Sequence, residues 1–307
     1  MTTTSVGRAA DSLRAGGLVA IPTETVYGLG ADAEDDAAVR RIFEIKGRPG
    51  DHPLIVHVDL AAVEMWVGEL PPAGAVLAAT CWPGPLTLLL PRPDRVSTVV
   101  TGGRDTVGLR VPAHPMTQRL LVVSGCAIAA PSANRFGRVS PTTAQHVLDD
   151  LGPVLDPARD VVLDGGPCPI GVESTIVDCT SDPPQLLRPG AISAEDIERL
   201  LDAPLAAATG ASRAAGMLAS HYRPQAEVLL VDDTRAADRL TGQLADEGRR
   251  PTVLDHTDDL VRYAHDLYAR LRRADTDSYD VVVAVLPPPT GLGHAIRDRL
   301  IKAATPT

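Results

Sequence analysis

The stretch KGRPGDHPLIVHV, which begins at Lys46, concentrates basic and imidazole side chains just before an apolar strand. It contains Lys46, Arg48, His52 and His57, although the whole chain has only one other lysine, Lys302. Lysine is a compact point charge and arginine is a rigid fork, so the two at a spacing of two residues favour an anion with several oxygens. A solvated turn between a helix and a strand is the alternative interpretation.

Further polar groups lie in or after predicted strands. Ser132 and Asn134 follow the apolar run AIAA at 127–130, and α/β sheets bind ligands at the carboxyl ends of strands. An Asx- or Ser-type turn would explain the same two residues. Arg110 lies within a predicted strand, so its charge must reach solvent or pair with an anion. With Ser174 and Arg188, these groups suit a ligand with several phosphates and a carboxylate, and catalysis by orientation and charge stabilisation.

Signatures of other chemistries are absent or weak. The chain has no G-x-S-x-G, H-E-x-x-H or GxxxxGK[ST] motif. GLGADA at 28–33 matches G-x-G-x-x-A, but it begins seven residues after the predicted strand at 18–21, where a dinucleotide-binding turn would follow directly. The four cysteines form no C-x-x-C pair, so we predict neither a zinc site nor a disulfide framework, and expect small apolar fillers.

Composition indicates a globular protein. The 307 residues are 44% apolar and 22% charged, and the net charge of −10 argues against a protein that coats nucleic acid. Residues 104–138 nevertheless contain five arginines and a single acid, Asp105, which suits a small anionic ligand. We find no apolar run of 18 residues and no basic, apolar leader, so we predict a cytoplasmic protein without a membrane segment.

The elements that must position these side chains divide the chain in three. Residues 1–203 mix helices with short apolar strands, and residues 204–225 are rich in Ala, Gly, Ser and Pro around a histidine and a tyrosine. Residues 226–307 alternate strand and helix three times with short connections, which predicts a small parallel sheet with right-handed crossovers.

Five motifs, in order, resemble the YrdC-like threonylcarbamoyl-AMP synthases. The central signature is K-x-R at 46–48 with S-x-N at 132–134. The other blocks are PTETVYGL at 22–29, GLRVP at 108–112, GVEST at 171–175 and LRPG at 187–190. HYRP at 221–224 and GLGHAI at 291–296 resemble the linker and tail of the two-domain form. The resemblance implies an α/β fold, in which a YrdC-like domain with a twisted mixed sheet flanked by helices precedes a small Rossmann-like parallel domain.

By this resemblance the protein would be a nucleotidyltransferase that joins L-threonine, bicarbonate and ATP with Mg²⁺ into L-threonylcarbamoyl-AMP and releases pyrophosphate. The product would serve the modification of ANN-decoding tRNAs through a downstream tRNA threonylcarbamoyl transferase machinery. We expect no stable direct binding of tRNA, and no metal ligand among the protein side chains.

The resemblance also assigns residues. Lys46 and Arg48 would be catalytic. ATP would be bound by Lys46, Arg48, His52, Thr106, Ser132, Asn134, Ser140, Arg188 and Tyr222, and threonine by Thr25, His57, Arg110, the backbone of Ala130 and Ser174. Tyr222 would make residues 204–225 a lid. The family more often has Asn at position 52 and Ala at position 223, so the role of His52 and the lid contacts are the least defined.

Two alternatives belong to other classes. A non-catalytic RNA-binding module is one, but the net acidity and the nine aromatic Phe, Trp and Tyr residues, which are not interleaved with basic ones, argue against it. The other is a carbamoyl-transfer maturation factor that shares the YrdC-like domain, and the chain lacks the zinc-finger and acylphosphatase-like segments expected beside it.

Overall fold

The computed structural model describes residues 1–209 and 221–306. Within them fourteen strands form two sheets. The strands are β1 (Thr2–Thr3), β2 (Val19–Ile21), β3 (Gly28–Asp32), β4 (Ile55–His57), β5 (Leu86–Pro91), β6 (Thr106–Arg110), β7 (Ile128–Ala130), β8 (Val161–Leu163), β9 (Thr175–Asp178), β10 (Gln185–Arg188), β11 (Ala206–Ala207), β12 (Glu227–Val231), β13 (Pro251–Leu254) and β14 (Val281–Val285).

Eleven α-helices in the described residues surround these sheets. They are α1 (Val6–Arg14), α2 (Asp36–Lys46), α3 (Val63–Trp66), α4 (Pro72–Cys81), α5 (Thr98–Thr101), α6 (Pro115–Ser124), α7 (Ala144–Leu151), α8 (Ala194–Leu201), α9 (Thr234–Asp246), α10 (Leu260–Thr276) and α11 (Leu292–Ala304). A 3₁₀ turn, Leu60–Ala62, precedes α3.

The large sheet is mixed, with strand order β1-β8-β2-β3-β7-β4-β6-β5-β9-β10-β11. At its centre β4 runs parallel to β6 and antiparallel to β7, so the ends of these strands place His57 opposite both Arg110 and Ile128. The sheet thereby brings together residues that are separated by 50 or more positions in the sequence.

Helix α2 carries the chain into the basic loop. Its first turn is capped by the Asp35 side chain, which accepts from the N–H groups of Ala37 and Ala38. It ends at Gly47, whose φ of 64° is the left-handed conformation that glycine adopts without strain. This sharp stop places Lys46 on the last helical turn and Arg48 in the loop.

The small sheet, β12-β14-β13, is fully parallel, and its three strands alternate with α9, α10 and α11. The alternation predicted from the sequence is confirmed, with strands β12 and β13 at the predicted bounds. The combination of a large mixed sheet with a small parallel one also confirms the predicted fold class.

One hydrophobic cluster joins the two sheets. Val26, Val139 and Val172 from the first part of the chain pack with residues of α10 and α11. Gly171, at a φ of 87°, lies against the backbone of Ala264 and His265 in α10, where a Cβ atom would collide with the carbonyl group. The second sheet with its helices is therefore docked closely on the first.

Several predicted elements differ from the structure. The helix predicted for 61–70 is only the 3₁₀ turn and α3, which ends at Trp66, where Val67 is extended and Gly68, a poor helix former, follows. The helix predicted to start at Ser140 with a proline in its first turn instead begins at Ala144, capped by Thr143. In agreement with its unfavourable distance from the preceding strand, GLGADA is not a dinucleotide-binding turn, and its first five residues, Gly28–Asp32, form strand β3.

The predicted domain limits 1–203, 204–225 and 226–307 stay a prediction, and residues 210–220 of the predicted lid lie outside the described residues. Ala206–Ala207 pair with β10 as an edge strand of the large sheet. In the described part of the chain, no helix is both long and apolar enough to cross a membrane.

Candidate active site

A pocket lined by hydroxyl and charged side chains opens at the strand ends of the large sheet. Nine of the predicted site residues line it: Thr25, Arg48, His57, Arg110, Ala130, Ser132, Ser174, Arg188 and Tyr222. These residues come from both predicted ligand sets, so the structure brings the nucleotide and threonine assignments together in one cavity. Thr23, Glu173 and His221 also line the pocket.

Arg48 gives one end of the pocket an unbalanced positive charge. Its side chain is nine-tenths buried, Nη2 donates to the carbonyl of Pro53 at 3.1 Å, and Nε has no hydrogen-bond partner among the described residues. Burial lowers the pKa of Arg48 to about 10, which leaves it charged at neutral pH. A buried cation with an open N–H group is a binding site for an anion.

Lys46 stabilises the Ser132 turn at the same end of the pocket. Its Nζ donates to the carbonyl oxygen of Ser132 at 2.7 Å and to that of Asn134. Ser132 Oγ in turn donates to Asn134 Oδ1 at 2.5 Å. Burial, followed by the charge of Arg48, lowers the pKa of Lys46 well below its usual value. The K-x-R and S-x-N motifs therefore meet in space, and the lysine holds the turn that carries Ser132.

In another region of the pocket lining, the Arg110 end, the arginine is already paired. Its Nη2 donates to Glu24 Oε1 at 2.6 Å, Nη1 donates to Thr25 Oγ1 at 3.0 Å, and Nε donates to the carbonyl of Gly84 at 3.2 Å. Burial alone would raise the pKa of Glu24, but the Arg110 charge and its hydrogen bond lower it overall. The anion that the sequence required for Arg110 is thus a protein carboxylate in this structure.

His57 and Ser174 complete this end. His57 Nδ1 lies 3.3 Å from the carbonyl of Ile128, which can only accept, so Nδ1 carries the hydrogen and Nε2 remains an acceptor. Burial, with Arg110 adding to it, lowers the pKa of His57 to about 3 and keeps the ring neutral. Ser174 Oγ shares a 2.8 Å hydrogen bond with Thr87 Oγ1.

Arg188 connects the Ser174 side with the rest of the pocket. Nε and Nη2 of Arg188 donate to the carbonyl of Ser174 at 3.1 and 2.9 Å, and Nη2 also reaches Ser174 Oγ at 3.0 Å. Gly190 permits this approach, because a Cβ there would meet the backbone of Ser174 and Thr175. The LRPG and GVEST motifs are therefore one structural unit.

Tyr222 and His221 are neighbouring buried rings in the pocket lining. Tyr222 is buried, its ring stacks on Tyr268 at 5.5 Å between centroids, and the guanidinium carbon of Arg299 lies 5.2 Å from its centroid. His221 Nδ1 is buried without a hydrogen-bond partner among the described residues. Burial lowers the pKa of His221 to about 3.

Five predicted residues do not line the pocket. Lys46 and Asn134 lie behind Ser132. His52 makes an edge contact with Phe136 at 5.5 Å, and Phe136 lies under the Arg48 guanidinium at 5.8 Å. Ser140 Oγ donates to Glu173 Oε1 at 2.6 Å, and Thr106 is the half-buried first residue of β6.

Sequence reasoning missed Glu24, Glu173 and Arg299. Glu24 directly precedes Thr25, and Glu173 directly precedes Ser174. Each is the only charged residue in its motif, and this pattern could have marked both acids as part of the site. Arg299 gave a clearer signal, because it lies on the apolar stripe of α11 with Ile296 and Leu300. A charge on such a stripe requires a buried partner.

Over residues 1–209 and 221–306, no group of three or more His, Cys, Asp or Glu side chains could hold a metal ion. The carboxylates that line or border the pocket, Glu24 and Glu173, are each engaged by arginine.

Two family models match the chain. Residues 11–190 match the Sua5, YciO and YrdC model, which is described as telomere recombination. Residues 192–305 match the model described as the C-terminal domain of threonylcarbamoyl-AMP synthase.

Similar proteins match along nearly their whole length. The threonylcarbamoyl-AMP synthase of Pyrococcus abyssi is 42% identical over 96% of this chain and 93% of its own. The threonylcarbamoyl-AMP synthase of Bacillus subtilis is 41% identical over 97% of this chain and 92% of its own. A crystal structure of P. abyssi Sua5 complexed with L-threonine superposes with a TM-score of 0.91 at 40% identity and covers 97% of this chain and 94% of that one.

Proposed function

The chain belongs to the threonylcarbamoyl-AMP synthase family in its two-domain form, and from this premise we propose that it is a nucleotidyltransferase that makes L-threonylcarbamoyl-AMP from L-threonine, bicarbonate and ATP. Pyrophosphate is the second product. The observation that carries the proposal is the division of one pocket into an unbalanced cationic end at Arg48 and a balanced ion pair at Arg110.

The Arg110 end suits a zwitterionic amino acid. An amino acid brings one carboxylate and one ammonium group, and the Arg110–Glu24 pair offers one charge of each sign. Thr25 and Ser174 add hydroxyl groups, and neutral His57 adds an acceptor. A threonine carboxylate would share Arg110 with Glu24, while the backbone of Ala130 lines the same cavity.

The Arg48 end suits the nucleotide phosphates. Its open Nε would donate to a phosphate oxygen, and Arg188 and the Ser132 hydroxyl lie along the same pocket. Lys46 would act mainly by fixing the Ser132 turn, so its charge is one step removed from the phosphates. Asn134, Ser140, His52 and Thr106 would contribute only after rearrangement on ligand binding.

In the proposed reaction the neutral amino nitrogen of threonine attacks the carbon of bicarbonate, and the C–OH bond breaks so that hydroxide leaves with the amine proton as water and a carbamate remains. A carbamate oxygen then attacks the α-phosphorus of ATP, and the bond to pyrophosphate breaks. Arg48 and Arg188 would stabilise the charge on the phosphates, and the buried pocket would hold both substrates aligned. Mg²⁺ would enter with the nucleotide, because Glu24 and Glu173 are already engaged by arginine.

The deciding experiment is release of pyrophosphate from ATP by the full-length chain, measured with and without threonine and bicarbonate. We expect release that requires both co-substrates, and incorporation of labelled bicarbonate into an adenylate. Release from ATP alone would contradict the proposal. Binding of tRNA at moderate salt without any pyrophosphate release would favour an RNA-binding module.

We further propose that the product supplies the modification of ANN-decoding tRNAs and that the protein works in the cytoplasm. Adding the product mixture to a tRNA threonylcarbamoyl transferase and detecting the modified nucleoside tests the first point. Fractionation of cells tests the second.

A further inference from the structure

Glu173 is the point where the two parts of the molecule meet at the pocket wall. Its Oε2 accepts from Arg299 Nε at 2.8 Å and from the Tyr268 hydroxyl at 2.6 Å, and its Oε1 accepts from Ser140 at 2.6 Å. Arg299 and Tyr268 belong to α11 and α10, whereas Glu173 and Ser140 belong to the part of the chain that forms the large sheet. Two of the three donors therefore come from the C-terminal helices.

Arg299 also holds the neighbours of Glu173. Its Nη2 donates to the carbonyl of Pro189 at 2.9 Å, next to Arg188, and its guanidinium lies over the ring of Tyr222. Arg188 in turn donates hydrogen bonds to the carbonyl and the hydroxyl of Ser174, the residue after Glu173. One fully buried side chain thus contacts three separate segments beside the pocket, at Glu173, Pro189 and Tyr222.

The charge balance gives this contact a function beyond packing. Glu173 lines a pocket in which, under the proposed function, a polyanionic nucleotide must bind. A carboxylate without a partner would repel the phosphates, and at close range in a buried site that repulsion is strong. Although burial alone would raise the pKa of Glu173, the charges of Arg299 and then Arg188, with the hydrogen bonds, lower it to about 2. The acid is therefore ionised and needs its counter-charge.

We propose that Arg299 of the C-terminal helix α11 is a positioning residue for nucleotide binding, which neutralises Glu173 and thereby holds Arg188 and Tyr222 against the nucleotide. The inference rests on the proposed function. It gives the C-terminal part of the chain a chemical role at the site, since its arginine completes the electrostatics of a pocket built largely by the other part.

The test separates charge from shape. Full-length wild type, Arg299→Met and Arg299→Lys are titrated calorimetrically with α,β-methylene-ATP and with L-threonine. Methionine keeps a long side chain without the charge, and we expect nucleotide affinity to fall about tenfold or more while threonine affinity changes less than about threefold. Lysine restores the charge without the fork, and we expect it to recover most of the nucleotide affinity.

Arg138→Gln is the matched control. Arg138 makes another ion pair between the two parts of the chain, with Asp275 at 3.3 Å, but it does not line the pocket. We expect its nucleotide affinity to equal that of wild type. An equal loss in Arg138→Gln and Arg299→Met would overturn the proposal, because any weakened docking would then suffice. Equal losses in the lysine and methionine variants would overturn it as well.

A double variant guards against misfolding. Arg299→Met leaves Glu173 buried without its ion-pair partner, whereas Arg299→Met with Glu173→Gln removes that carboxylate charge as well, and we expect the double variant to bind nucleotide better than Arg299→Met. Asp298, the other acid paired with Arg299, keeps Lys302 as a partner in both variants. If Arg299→Met does not fold, the double variant and Arg299→Lys must fold and bind nucleotide within about fivefold of wild type. Failure of either to do so assigns Arg299 to the domain interface alone and overturns the proposal.

Wild type also separates this inference from the proposed function. A wild-type chain that binds neither the nucleotide analogue nor threonine contradicts the proposed function. A wild-type chain that binds both, beside an Arg299→Met variant that binds the nucleotide equally well, contradicts only the role of Arg299.

Discussion

The two ends of the pocket use arginine in opposite ways. Arg110 donates from each of its three nitrogens, to a carboxylate, a hydroxyl and a carbonyl, and its charge is balanced by Glu24 before any ligand arrives. Arg48 is also buried, but in the described residues neither it nor Lys46 has a carboxylate within 4 Å, and its Nε has no hydrogen-bond partner.

The difference indicates what each end can bind. An unbalanced buried cation raises the free energy of the empty site, so an anionic ligand gains most there. A balanced pair is stable when empty and selects by geometry, so it suits a ligand that is itself neutral overall. Under the proposed function, the same residue type would serve affinity for a polyanion at one end and recognition of a zwitterion at the other.

The largest effect should come from the unbalanced end. We expect Arg48→Ala to lower kcat/KM for pyrophosphate release about 10²–10³-fold, as removal of a group that stabilises transition-state charge does. The melting temperature should stay within a few degrees of wild type, because the lost guanidinium had one carbonyl partner and an open Nε. Near-native turnover at saturating ATP would show that Arg48 does not contact the phosphates.

The balanced end should respond selectively. Arg110→Lys keeps the charge but cannot hold Glu24, Thr25 and a carboxylate together, so we expect KM for threonine to rise about 10- to 100-fold. KM for ATP should change less than about threefold. Arg119→Lys, at an exposed position on α6, is the control. Equal effects on the two substrates would remove the distinction between the ends.

Tyr222 should matter through its ring. Tyr222→Ala removes the stacking partner of Tyr268 and the surface beneath Arg299, and we expect KM for ATP to rise about tenfold. Tyr222→Phe keeps the ring and should stay near wild type. If both variants have wild-type kinetics, the segment that carries Tyr222 is only a connection between the two parts of the chain.

The smallest effect is the pH dependence of the free energy of unfolding, to which His57 and His221 should contribute equally. Burial lowers the pKa of His57 and of His221 to about 3, below the usual 6.5. The unfolded chain therefore binds protons between pH 6.5 and 3 that the folded chain does not, and stability falls as the pH falls through that window. Each histidine should lower the free energy of unfolding by about 0.7 kcal/mol when the pH falls from 7 to 6.

Urea unfolding at the two pH values measures this loss. The two histidines together contribute one part of the pH-dependent loss in the free energy of unfolding. His221→Asn should remove about half of that part, because asparagine does not titrate. An unchanged pH dependence in His221→Asn would mean that His221 is protonated or exposed in the folded chain.

The local sequence determined much of this protein. Periodicity and capping residues predicted the strands and helices of residues 226–306 to within about three residues, because each of these elements carries its own apolar stripe and stop signals. The family resemblance also selected nine residues that the fold gathers in one pocket. Where the sequence contains few capping or stop residues, as at 61–70, the predicted helix was too long.

Only the tertiary structure decided which charges are balanced. Arg110 finds Glu24 across 86 positions, and Glu173 finds Arg299 across 126, through the order of strands in one sheet and the docking of a second. A sequence records the type and spacing of a charged residue, but the free energy of a buried charge depends on its neighbours in space. Lys46 shows the same limit, since its partners are backbone carbonyls that no motif encodes.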